Sequence, residues 1–518
     1  MTGHHPIVIV GAGPVGLTLA IDLASRGIPA LVLQKHAASE GSRAICHAKR
    51  SLEIWNRLGA GEAIRDRGVT WNAGKVFHRD RLLYSFDLQP EKGHKMPAFV
   101  NLQQYHVESM LLDRLRALGG TIRAQHACER VQAFDDHVRL GVSAPGGPYE
   151  LSCEWLIACD GARSTVRRQL GLGFRGEVFA EKFLISDVRM QADFPPERWF
   201  WFEPPFHRGQ TALLHRQADD VWRIDLQLGP DADVEQERKS ERVMPRLRAM
   251  LGAAARFELV WTSVYAFQCR TLDRYVHGRV IFAGDAAHQV SPFGARGGNG
   301  GVQDADNLGW KLALVHERRA PGSLLDSYDA ERLAAARENI LHSTRATEFM
   351  TPKTQASRVL RDTALALASG CPFARAFINS GRLSVPANLQ GSLLNTADQD
   401  AFTCDITPGS PAADAPLDSP AGPAWFLDCL AAGFTVLVYQ PAAGSPEALA
   451  VDGIEVAIRR VGHAGPLVDR AGLLRRRYHL EPGTTYLFRP DQHVAARWRS
   501  FDVAAIARAV KRAAGRLQ

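Results

Sequence analysis

The stretch RVIFAGDAAHQVSPFGARGGNGGVQDADNLGWKL, residues 279–312, predicts a strand, a tight loop and a helix. Residues 280–282 form a β-branched and aromatic run that ends at Gly284. Apolar side chains then recur at helical spacing, at Ala305, Leu308, Leu312 and Val315. Asp304 and Asp306 would lie in the first helical turn, where the helix dipole favours acidic residues. The stretch therefore favours a ligand-holding turn between a buried strand and a helix.

The loop of this stretch is rich in glycine, with Gly294, Gly297, Gly298, Gly300 and Gly301 close together. Glycine adopts positive φ readily, so several N–H groups of the loop can face one anionic or carbonyl oxygen near the helix N-terminus. A flexible linker has a similar composition. Linkers rarely lead from a buried strand directly into an amphipathic helix, however, so we expect a binding loop.

A second glycine-rich turn lies near the start of the chain. Residues 7–10 are a continuous apolar run typical of a buried parallel strand, and the sequence GAGPVG follows at once. A helical pattern and a further strand at residues 30–33 complete a βαβ unit. In such a unit Gly11 permits the tight turn, Gly13 lets a pyrophosphate approach the backbone, and Gly16 allows close packing of the helix. A glycine turn that binds nothing is the alternative, and the βαβ context disfavours it.

Gln34 stands where a dinucleotide-binding βαβ unit has an acidic residue that holds the adenosine ribose. An amide can still hydrogen-bond a ribose hydroxyl, but a neutral group forgoes the stronger charge-assisted bond. We therefore expect Gln34 to contact the ribose and to retain the nucleotide less tightly than a carboxylate would.

A third turn of this kind follows the buried-type strand at residues 155–159, where the sequence continues as DGARSTVR. Asp160 opens this turn and Ser164 lies within it. A strand end whose turn is capped by Asp160 or Ser164 would contain the same residues. The residues alone leave open whether this turn binds a nucleotide or only caps a helix.

These motifs resemble those of class A flavin-dependent aromatic hydroxylases, which include the p-hydroxybenzoate and phenol hydroxylase families. GDAAH from Gly284, P-x-G-x-x-G-x-N-x-G from Pro292 and DAxNLxWKL from Asp304 are similar to the second FAD motif of these enzymes. DGxxSxVR from Asp160 is similar to their DG motif. The resemblance covers essentially the whole chain and is strongest before residue 330. It departs at residues 295–296, where Ala-Arg replaces the Gly-Gln of many members.

The resemblance implies that the dinucleotide is FAD and assigns several of its ligands. The Asp285 carboxylate would hydrogen-bond the ribityl chain, with capping of the following loop as its alternative role. The N–H groups of Gly298 and Asn299 would meet the flavin pyrimidine edge, in a loop that begins at Pro292. Asp160 would lie near the pyrophosphate and take part in binding both FAD and the nicotinamide cofactor.

Two more cofactor-binding positions follow from the same resemblance. Arg43 would contact the FAD diphosphate near the mobile flavin, and a surface ion pair is its alternative role. Gln104 and Glu108 are similar to a Q-x-x-x-E element that opens a helix and contacts FAD. Gln103 is the competing candidate for that contact.

The predicted fold class is α/β and α+β, with three domains. They are a discontinuous Rossmann-like FAD-binding domain at residues 1–70, 97–182 and 270–385, a substrate-binding β-sheet domain at 71–96 and 183–269, and a C-terminal thioredoxin-like domain at 395–518. Short alternating runs of aromatic and β-branched residues predict the sheet domain. Residues 386–423, rich in Gly, Pro, Ser and Asp, predict a linker. The last domain is implied by resemblance to phenol hydroxylase relatives. It lacks a CxxC motif, so we expect a structural or interface role.

The sheet domain contains the candidate substrate residues. Its aromatic side chains could line a pocket, although such residues in strands more often form plain core: Trp199, Phe200, Trp201, Phe202 and Trp222. Four basic side chains there could bind a phenolate or carboxylate, and each could equally be structural: His207, His215, Arg216 and Arg223.

The resemblance implies an FAD-dependent monooxygenase that hydroxylates a phenolic or other electron-rich aromatic substrate. NADPH or NADH would reduce the flavin, and dioxygen would add to it as a C4a-hydroperoxide that the ring attacks. We assign no single catalytic acid or base. An FAD-dependent reductase or oxidase on this scaffold, or a non-catalytic flavin-binding interaction module, would carry the same cofactor motifs.

Composition limits the partners, the metal content and the cellular location that we expect. The net charge of +7 comes from scattered Lys and Arg residues, so we expect a small aromatic substrate and O2 as partners and no nucleic acid. The eight cysteines have neither CxxC nor metal-ligand spacing, which predicts no metal and a reducing cytoplasm. No apolar run approaches the roughly 20 residues of a membrane span, and no secretory signal is evident, so we expect neither membrane insertion nor export. A homodimer is left open.

Overall fold

The computed structural model describes residues 3–37, 43–89, 91–192, 194–378, 383–442, 446–462 and 465–517. Up to residue 169 the elements are, in chain order, β1 (Gly3–Val10), α1 (Pro14–Ser25), β2 (Ala30–Gln34), β3 (Cys46–Ala48), α2 (Lys49–Arg57), α3 (Gly61–Arg67), β4 (Val69–Trp71), β5 (Ala73–His78), β6 (Arg81–Asp87), β7 (Phe99–Asn101), α4 (Gln104–Ala117), β8 (Thr121–Ala124), β9 (Ala127–Ala133), β10 (Val138–Ser143), β11 (Tyr149–Ala158) and α5 (Thr165–Gln169).

The middle of the chain continues with β12 (Arg175–Arg189), β13 (Arg198–Phe202), β14 (Thr211–Arg216), β15 (Val221–Leu228), α6 (Val234–Glu237), α7 (Ser240–Leu251), β16 (Glu258–Thr271), β17 (Val276–His277), β18 (Val280–Phe282), a 3-10 turn (Gly284–Ala286), β19 (His288–Gln289), α8 (Gly297–His316), α9 (Leu324–Met350), α10 (Gln355–Leu367) and α11 (Pro372–Ile378). The last part contains β20 (Pro416–Ser419), β21 (Gly422–Trp425), α12 (Phe426–Cys429), β22 (Phe434–Tyr439), β23 (Ala448–Val451), β24 (Ile454–Val461), α13 (Leu473–Tyr478), β25 (Thr485–Phe488), β26 (Val494–Trp498) and α14 (Val503–Ala513).

The central sheet has the strand order β17-β18-β11-β1-β2-β8. β18, β11, β1, β2 and β8 are parallel, and helix α1 packs against both α4 and α8. Apolar residues of these strands, such as Ile9 and Ile157, are fully buried, which explains why the strands appear in the sequence as unbroken apolar runs. This sheet and its helices give the chain a mixed α/β fold.

The carboxyl ends of the parallel strands coincide. Val10 pairs with both Leu33 and Ala158, and Ala158 pairs with Phe282. The turns that follow β1, β2, β11 and β18 therefore meet at one edge of the sheet, where ligands of open α/β sheets bind.

The second sheet has the order β19-β16-β12-β15-β14-β13-β5-β6. Strands from residues 73–87 and 175–271 thus lie in one sheet, joined by the parallel pair β5 and β13. Because side chains alternate along a strand, Trp199 and Trp201 pack on the side of α7, whereas Phe200 and Phe202 face α9, α10 and α11.

The C-terminal sheet has the order β23-β24-β22-β25-β26, with β22 parallel to β24 and antiparallel to β25. It is held to the rest of the protein by a buried ion pair. Arg489 donates to both carboxylate oxygens of Glu331 in α9, at 2.6 and 3.0 Å, and Lys311 of α8 donates to the same group at 2.7 Å.

The prediction of a linker over residues 386–423 is wrong in its second half. Ala412, Ala415 and Leu417 are buried, and residues 416–425 form the β20–β21 hairpin. The small side chains pack into an apolar core with Phe426 and Tyr478, so this segment belongs to the C-terminal unit.

No helix within the described ranges is long and apolar enough to cross a membrane. All eight cysteines lie within the described part of the chain, and each is a free thiol.

Candidate functional site

The turn after β1 brings the start of α1 to the sheet edge. Gly11 has a φ of +106°, and a Cβ there would collide with the carbonyl oxygen of Cys159. A Cβ at Gly16 would collide with the carbonyl oxygen of Gly11. Helix α1 begins at Pro14, and Gly13 as its N-cap has no side chain to offer. The first N–H groups of α1 are thus available to an external acceptor such as a phosphate.

Gln34 lies against this turn. Its side-chain oxygen accepts a hydrogen bond from the Ala12 N–H at 3.0 Å. Gln34 is half-buried and is the last residue of β2. The remaining NH2 group of the amide is a donor at the position where the ribose contact is predicted.

Gln104, at the first position of α4, holds the segment that contains Arg43. Its side-chain oxygen accepts from the N–H groups of Arg43 at 3.3 Å and Ala44 at 3.0 Å, and its NH2 donates to Glu108 at 2.7 Å. Arg43 itself is exposed and has no ion-pair partner among the described residues, so the surface ion pair considered as its alternative role is absent there. Gln103, the competing candidate for the FAD contact, is buried, and its NH2 donates a hydrogen bond to the Ala218 carbonyl.

Asp160 caps α5. Its Oδ2 accepts from the N–H groups of Thr165 at 2.6 Å and Val166 at 3.1 Å, and Ser164 accepts from Arg167 at 3.0 Å. Burial raises the pKa of the Asp160 carboxyl. The second oxygen, Oδ1, is buried without a hydrogen-bond partner among the described residues. The capping role is therefore present, and Oδ1 is an acceptor left for a further donor.

Asp285 lies in the 3-10 turn after β18. It is exposed although Gly284 and Ala286 beside it are buried. Surrounding protein raises the pKa of the Asp285 carboxyl, and His288 and Arg43 oppose this shift. The exposed carboxylate lies just beyond the carboxyl end of β18, where a group outside the protein can reach it. No hydrogen bond from a described residue reaches that carboxylate, so the loop-capping alternative is absent.

Asp304 fixes the Gly284 turn from the side of α8. Its carboxylate accepts from the Gly284 N–H at 3.0 Å, His288 Nε2 lies 2.6 Å away, and Arg332 donates at 2.7 Å. Burial alone would raise the pKa of Asp304, but His288 and Arg332 outweigh it and hold the pKa well below its usual range. The turn that contains Asp285 is therefore held in place by residues of two helices, α8 and α9, and of one strand, β19.

The prediction that Asp304 and Asp306 lie in the first turn of the helix is wrong. Helix α8 begins at Gly297, so both carboxylates lie deeper in the helix, and both are buried. Asp306 is stabilised by Arg50, whose guanidinium lies 3.2 Å away, instead of by the helix dipole.

The positive φ predicted for the glycine loop is present at Gly294, with φ +104°, and is wrong for the other four glycines. Those four are helical residues of α8, Gly297, Gly298, Gly300 and Gly301. At Gly301 the glycine serves close packing, as a Cβ there would crowd Val15 and Gly284. Instead Ala295 adopts a φ of +53°, a conformation that disfavours any side chain.

Asn299 positions the start of α8. Its side-chain oxygen accepts from the Ala48 N–H at 2.9 Å and the Ser51 hydroxyl at 2.7 Å, and its NH2 donates to the carbonyls of Cys46 and Ala295. The side chain is thus fully used within the protein. The N–H groups of the first turn, at residues 297–299, are those that a helix leaves without an internal acceptor.

The structure therefore brings the predicted cofactor residues to one edge of the central sheet. The glycine turn, Gln34, Asp160 and Asp285 follow the coinciding strand ends, and Pro292 and Gly298 are exposed beside them in the loop before and at the start of α8. The N-termini of two helices packed against each other, α1 and α8, belong to this group of residues.

An apolar cleft, partly open to solvent, shares the loop before α8 with this edge. It lies between β13 and the helices α9 and α11. Its walls are mostly aromatic and aliphatic: Val76, Phe86, Phe200, Phe202, Phe293, Ala346, Met350, Ile378 and Leu383. Gly294 and two guanidinium groups, those of Arg198 and Arg296, complete the lining.

The basic residues suggested by the sequence for substrate binding do not line this cleft. His207 Nε2 lies 2.6 Å from the Gln227 carbonyl, and Arg223 is held by both oxygens of Asp187, at 2.8 and 2.9 Å. Of the aromatic candidates, Phe200 and Phe202 line the cleft, and the three tryptophans pack on the other face.

Arg198 and Arg296 are the cleft residues that the sequence reasoning missed. A local signal existed for Arg198, because Arg198, Phe200 and Phe202 alternate along β13 and so share a face. In the described part of the chain no cluster of His, Cys, Asp and Glu side chains could hold a metal ion.

Comparison with known proteins gives consistent matches. A family model described as an FAD binding domain matches residues 4–343. A flavin-dependent monooxygenase of Mycobacteroides abscessus is 36% identical over 354 residues, covering 64% of this chain and 71% of the relative. The 6-methylpretetramide 4-monooxygenase of Streptomyces rimosus is 31% identical over 95% of this chain and 90% of its own. The crystal structure of the flavin-dependent monooxygenase PieE, in complex with FAD and substrate, shares the fold with a TM-score of 0.83 over 99% of both chains, at 22% identity.

Proposed function

Because the chain belongs to the class A flavin-dependent monooxygenases, an FAD-binding family, we propose that it hydroxylates a multi-ring phenolic compound bound in the apolar cleft. NAD(P)H and dioxygen are its co-substrates. The FAD-dependent hydroxylation of an aromatic compound is the activity of the family, and the identity of the substrate and the residues that hold it are our inference.

The residues at the sheet edge fit FAD. The glycine cradle after β1 has no room for side chains, and the uncapped start of α1 favours the pyrophosphate. Gln34 would donate to the adenosine ribose, and the exposed Asp285 would accept from ribityl hydroxyls. The N–H groups of Gly298 and Asn299 would donate to the carbonyl oxygens of the flavin pyrimidine ring. Arg43, Gln104, Asp160 and Pro292 complete the set of cofactor residues that we propose.

FAD supplies the redox chemistry when bound, since it takes electrons from NAD(P)H and passes them to dioxygen. The protein's own part is to place the aromatic ring, to keep water out and to hold charge where it develops. The apolar walls of the cleft suit the placing of the ring and the exclusion of water. Aromatic and aliphatic side chains pack against a flat ring and do not hydrogen-bond water.

One observation carries this proposal. The loop between β19 and α8 belongs to both sites: Phe293, Gly294 and Arg296 line the apolar cleft, while Gly298, at the start of α8, is exposed at the cofactor edge. A ring bound in the cleft would therefore lie next to the end of the cofactor that α8 holds.

Similarity to a curated relative supports a multi-ring substrate. A relative that aligns over 95% of this chain is named for a reaction on 6-methylpretetramide.

We also infer the three-domain division at residues 1–70, 97–182 and 270–385, at 71–96 and 183–269, and at 395–518. The strand order and directions of the C-terminal sheet, with α14 packed on it, support a thioredoxin-like domain with a structural role. Eight free thiols support the cytoplasm as its location. A homodimer stays a prediction.

The test is a panel of hydroxybenzoates, phenylpropanoids, aminophenols and polyketide phenols, scored with the FAD-loaded enzyme for stimulated NAD(P)H oxidation and for hydroxylated product. We expect multi-ring phenols to stimulate oxidation and to be hydroxylated. A reductase or oxidase would consume NAD(P)H without hydroxylating any compound, and a non-catalytic flavin-binding module would not consume it at all.

A further inference from the structure

Arg198 is a buried cation that faces the apolar cleft. It is the first residue of β13 and lies on the same face as Phe200 and Phe202. Only 9% of the residue is exposed. Within the described ranges its guanidinium has neither a hydrogen-bond acceptor nor an ion-pair partner. A guanidinium held in an apolar wall without a partner is unfavourable unless a ligand supplies one.

The acidic groups nearest to Arg198 do not supply that partner. Burial lowers the pKa of Arg198, and Cys46 and Asp225 only partly offset this effect. Burial raises the pKa of the Cys46 thiol to about 11, so the thiol is uncharged at neutral pH. Asp225 and Arg198 attract each other at a distance, but no ion pair or hydrogen bond joins them among the described residues, and Asp187 is held by both arms of Arg223.

Arg296 adds a second positive charge to the same cleft. It is 3% exposed, and its guanidinium donates to the Phe293 carbonyl at 3.0 Å. Burial and the charge of Arg198 lower the pKa of Arg296 to about 10, which leaves it charged at neutral pH. The charge of Arg198 beside this apolar cavity, with Arg296 in the same lining, favours an anionic guest.

We propose that Arg198 is the anion-binding residue of the substrate cleft, so that the substrate is an aromatic compound with a negatively charged oxygen, a carboxylate or an ionised phenol. This inference rests on the proposed hydroxylase function. The planar guanidinium would donate two parallel N–H bonds to a carboxylate, or direct two N–H groups to the single oxygen of an ionised phenol. The ring would then lie among Phe200, Phe202 and Phe293, with its orientation set by the anchored oxygen.

The first test is the stability of the FAD-loaded, substrate-free enzyme. If Arg198 serves a ligand, Arg198→Met removes an unpaired buried charge and leaves the melting temperature equal or higher. A clear fall in the melting temperature would give Arg198 a structural role and overturn the proposal.

The second test is binding at pH 7.5, followed through changes in flavin absorbance. The probes are 1-hydroxy-2-naphthoate, its neutral methyl ester, and 2,4-dinitro-1-naphthol, an ionised phenol without a carboxylate. We expect at least about tenfold tighter binding of one or both anions than of the ester, with the two anions showing which oxygen is recognised. Arg198→Met should abolish this preference, and Arg198→Lys should retain part of it.

Arg189→Met is the matched control, since Arg189 forms an exposed ion pair with Glu258 at the end of β12. It should bind the probes as the wild type does. Equal affinity of the wild type for the anions and the ester, or an intact preference in Arg198→Met, would overturn the proposal.

Failure of this inference is distinguishable from failure of the hydroxylase function. If the wild type hydroxylates neutral phenols as readily as anionic ones, the anion site is wrong and the function stands. If it hydroxylates none of the panel although FAD is bound, the function falls and the anion site falls with it.

Discussion

The side-chain oxygen of Gln34 accepts a hydrogen bond from the backbone N–H of Ala12, at 3.0 Å. This bond joins the end of β2 to the glycine turn after β1, the two parts of the sheet edge where we place the adenosine ribose and the pyrophosphate. The Gln34 amide stands where a dinucleotide-binding βαβ unit has a carboxylate, and it keeps the hydrogen bond to Ala12. To the ribose, however, it can offer only a neutral hydrogen-bonding group.

Gln34→Glu should therefore tighten FAD binding. One carboxylate oxygen would keep the Ala12 bond and the other would accept from a ribose hydroxyl, and a charge-assisted bond adds about 1 kcal/mol, or roughly fivefold in affinity. Titration of the apoproteins with FAD by flavin fluorescence measures the change. Gln34→Met, which lacks both polar groups, should weaken binding. Unchanged affinity in Gln34→Glu would remove Gln34 from the ribose site.

Asp285→Asn should weaken FAD and leave the apoprotein as stable as before. The carboxylate is exposed and caps no described group, so its loss costs the fold little, whereas replacing charge-assisted bonds to ribityl hydroxyls with neutral ones costs about 1–2 kcal/mol of binding, roughly tenfold. FAD titrations and apoprotein melting curves separate the two effects. Asp273→Asn, in an exposed ion pair with Arg175, is the control and should change neither. Equal FAD affinity in wild type and Asp285→Asn would contradict the assignment.

Asp304→Asn should destabilise the fold by about 3–5 kcal/mol, because it breaks a buried ion pair with Arg332. It should also loosen FAD, since Asp304 holds the Gly284 N–H. Denaturant unfolding beside Asp326→Asn, an exposed carboxylate in the first turn of α9, measures the loss.

The pH dependence of this loss has a definite sign. The folded pKa of Asp304 is depressed, so its stabilisation is complete above the unfolded pKa of about 4 and declines as the pH falls below that value. The stability gap between wild type and Asp304→Asn should thus shrink as the pH falls below about 4. A gap that widens in acid would show that the carboxylate does not act as an ion-pair partner.

Ala295→Gly should stabilise the protein slightly. Ala295 has a φ of +53°, and relief of that strain outweighs the greater chain entropy of glycine by about 0.5 kcal/mol. Ala313→Gly, within helix α8, is the control and should cost about 1 kcal/mol. If both variants lose stability equally in urea unfolding, the left-handed conformation at Ala295 is refuted.

Secondary-structure elements that depend only on neighbouring residues could be predicted from the sequence. The unbroken apolar run at residues 7–10 predicts a strand, and these residues form the end of β1. The pattern could not fix where α8 begins, because glycine is suited both to positive φ and to close helix packing. The contact of Gly301 with Val15, far away in the chain, decides between these uses. Asp306 was misplaced for the same reason, as its partner Arg50 is distant in sequence.

The candidate site likewise has a part that the sequence predicts, the cofactor residues, and a part that it does not, the apolar cleft. Gln34, Asp160 and Asp285 could be located because each lies at or within a few residues of the end of a parallel strand, and such strand ends meet at one edge. The apolar cleft could not, since its wall exists only where β13 pairs with β5 and where α11 covers the same face. Arg198 had an alternation signal, but nothing local indicated that its face would enclose a cavity.

The most direct test of the account is a single-turnover and steady-state measurement with ¹⁸O2. FAD-loaded enzyme, NADPH or NADH, and the panel phenol that best stimulates oxidation are combined, and product, NAD(P)H consumed and hydrogen peroxide are quantified. We predict one ¹⁸O atom in each hydroxylated product molecule and product formation that accounts for most of the NAD(P)H consumed. NAD(P)H oxidation that yields only hydrogen peroxide with every phenol, or a product whose oxygen comes from water, would contradict the assignment as an aromatic hydroxylase.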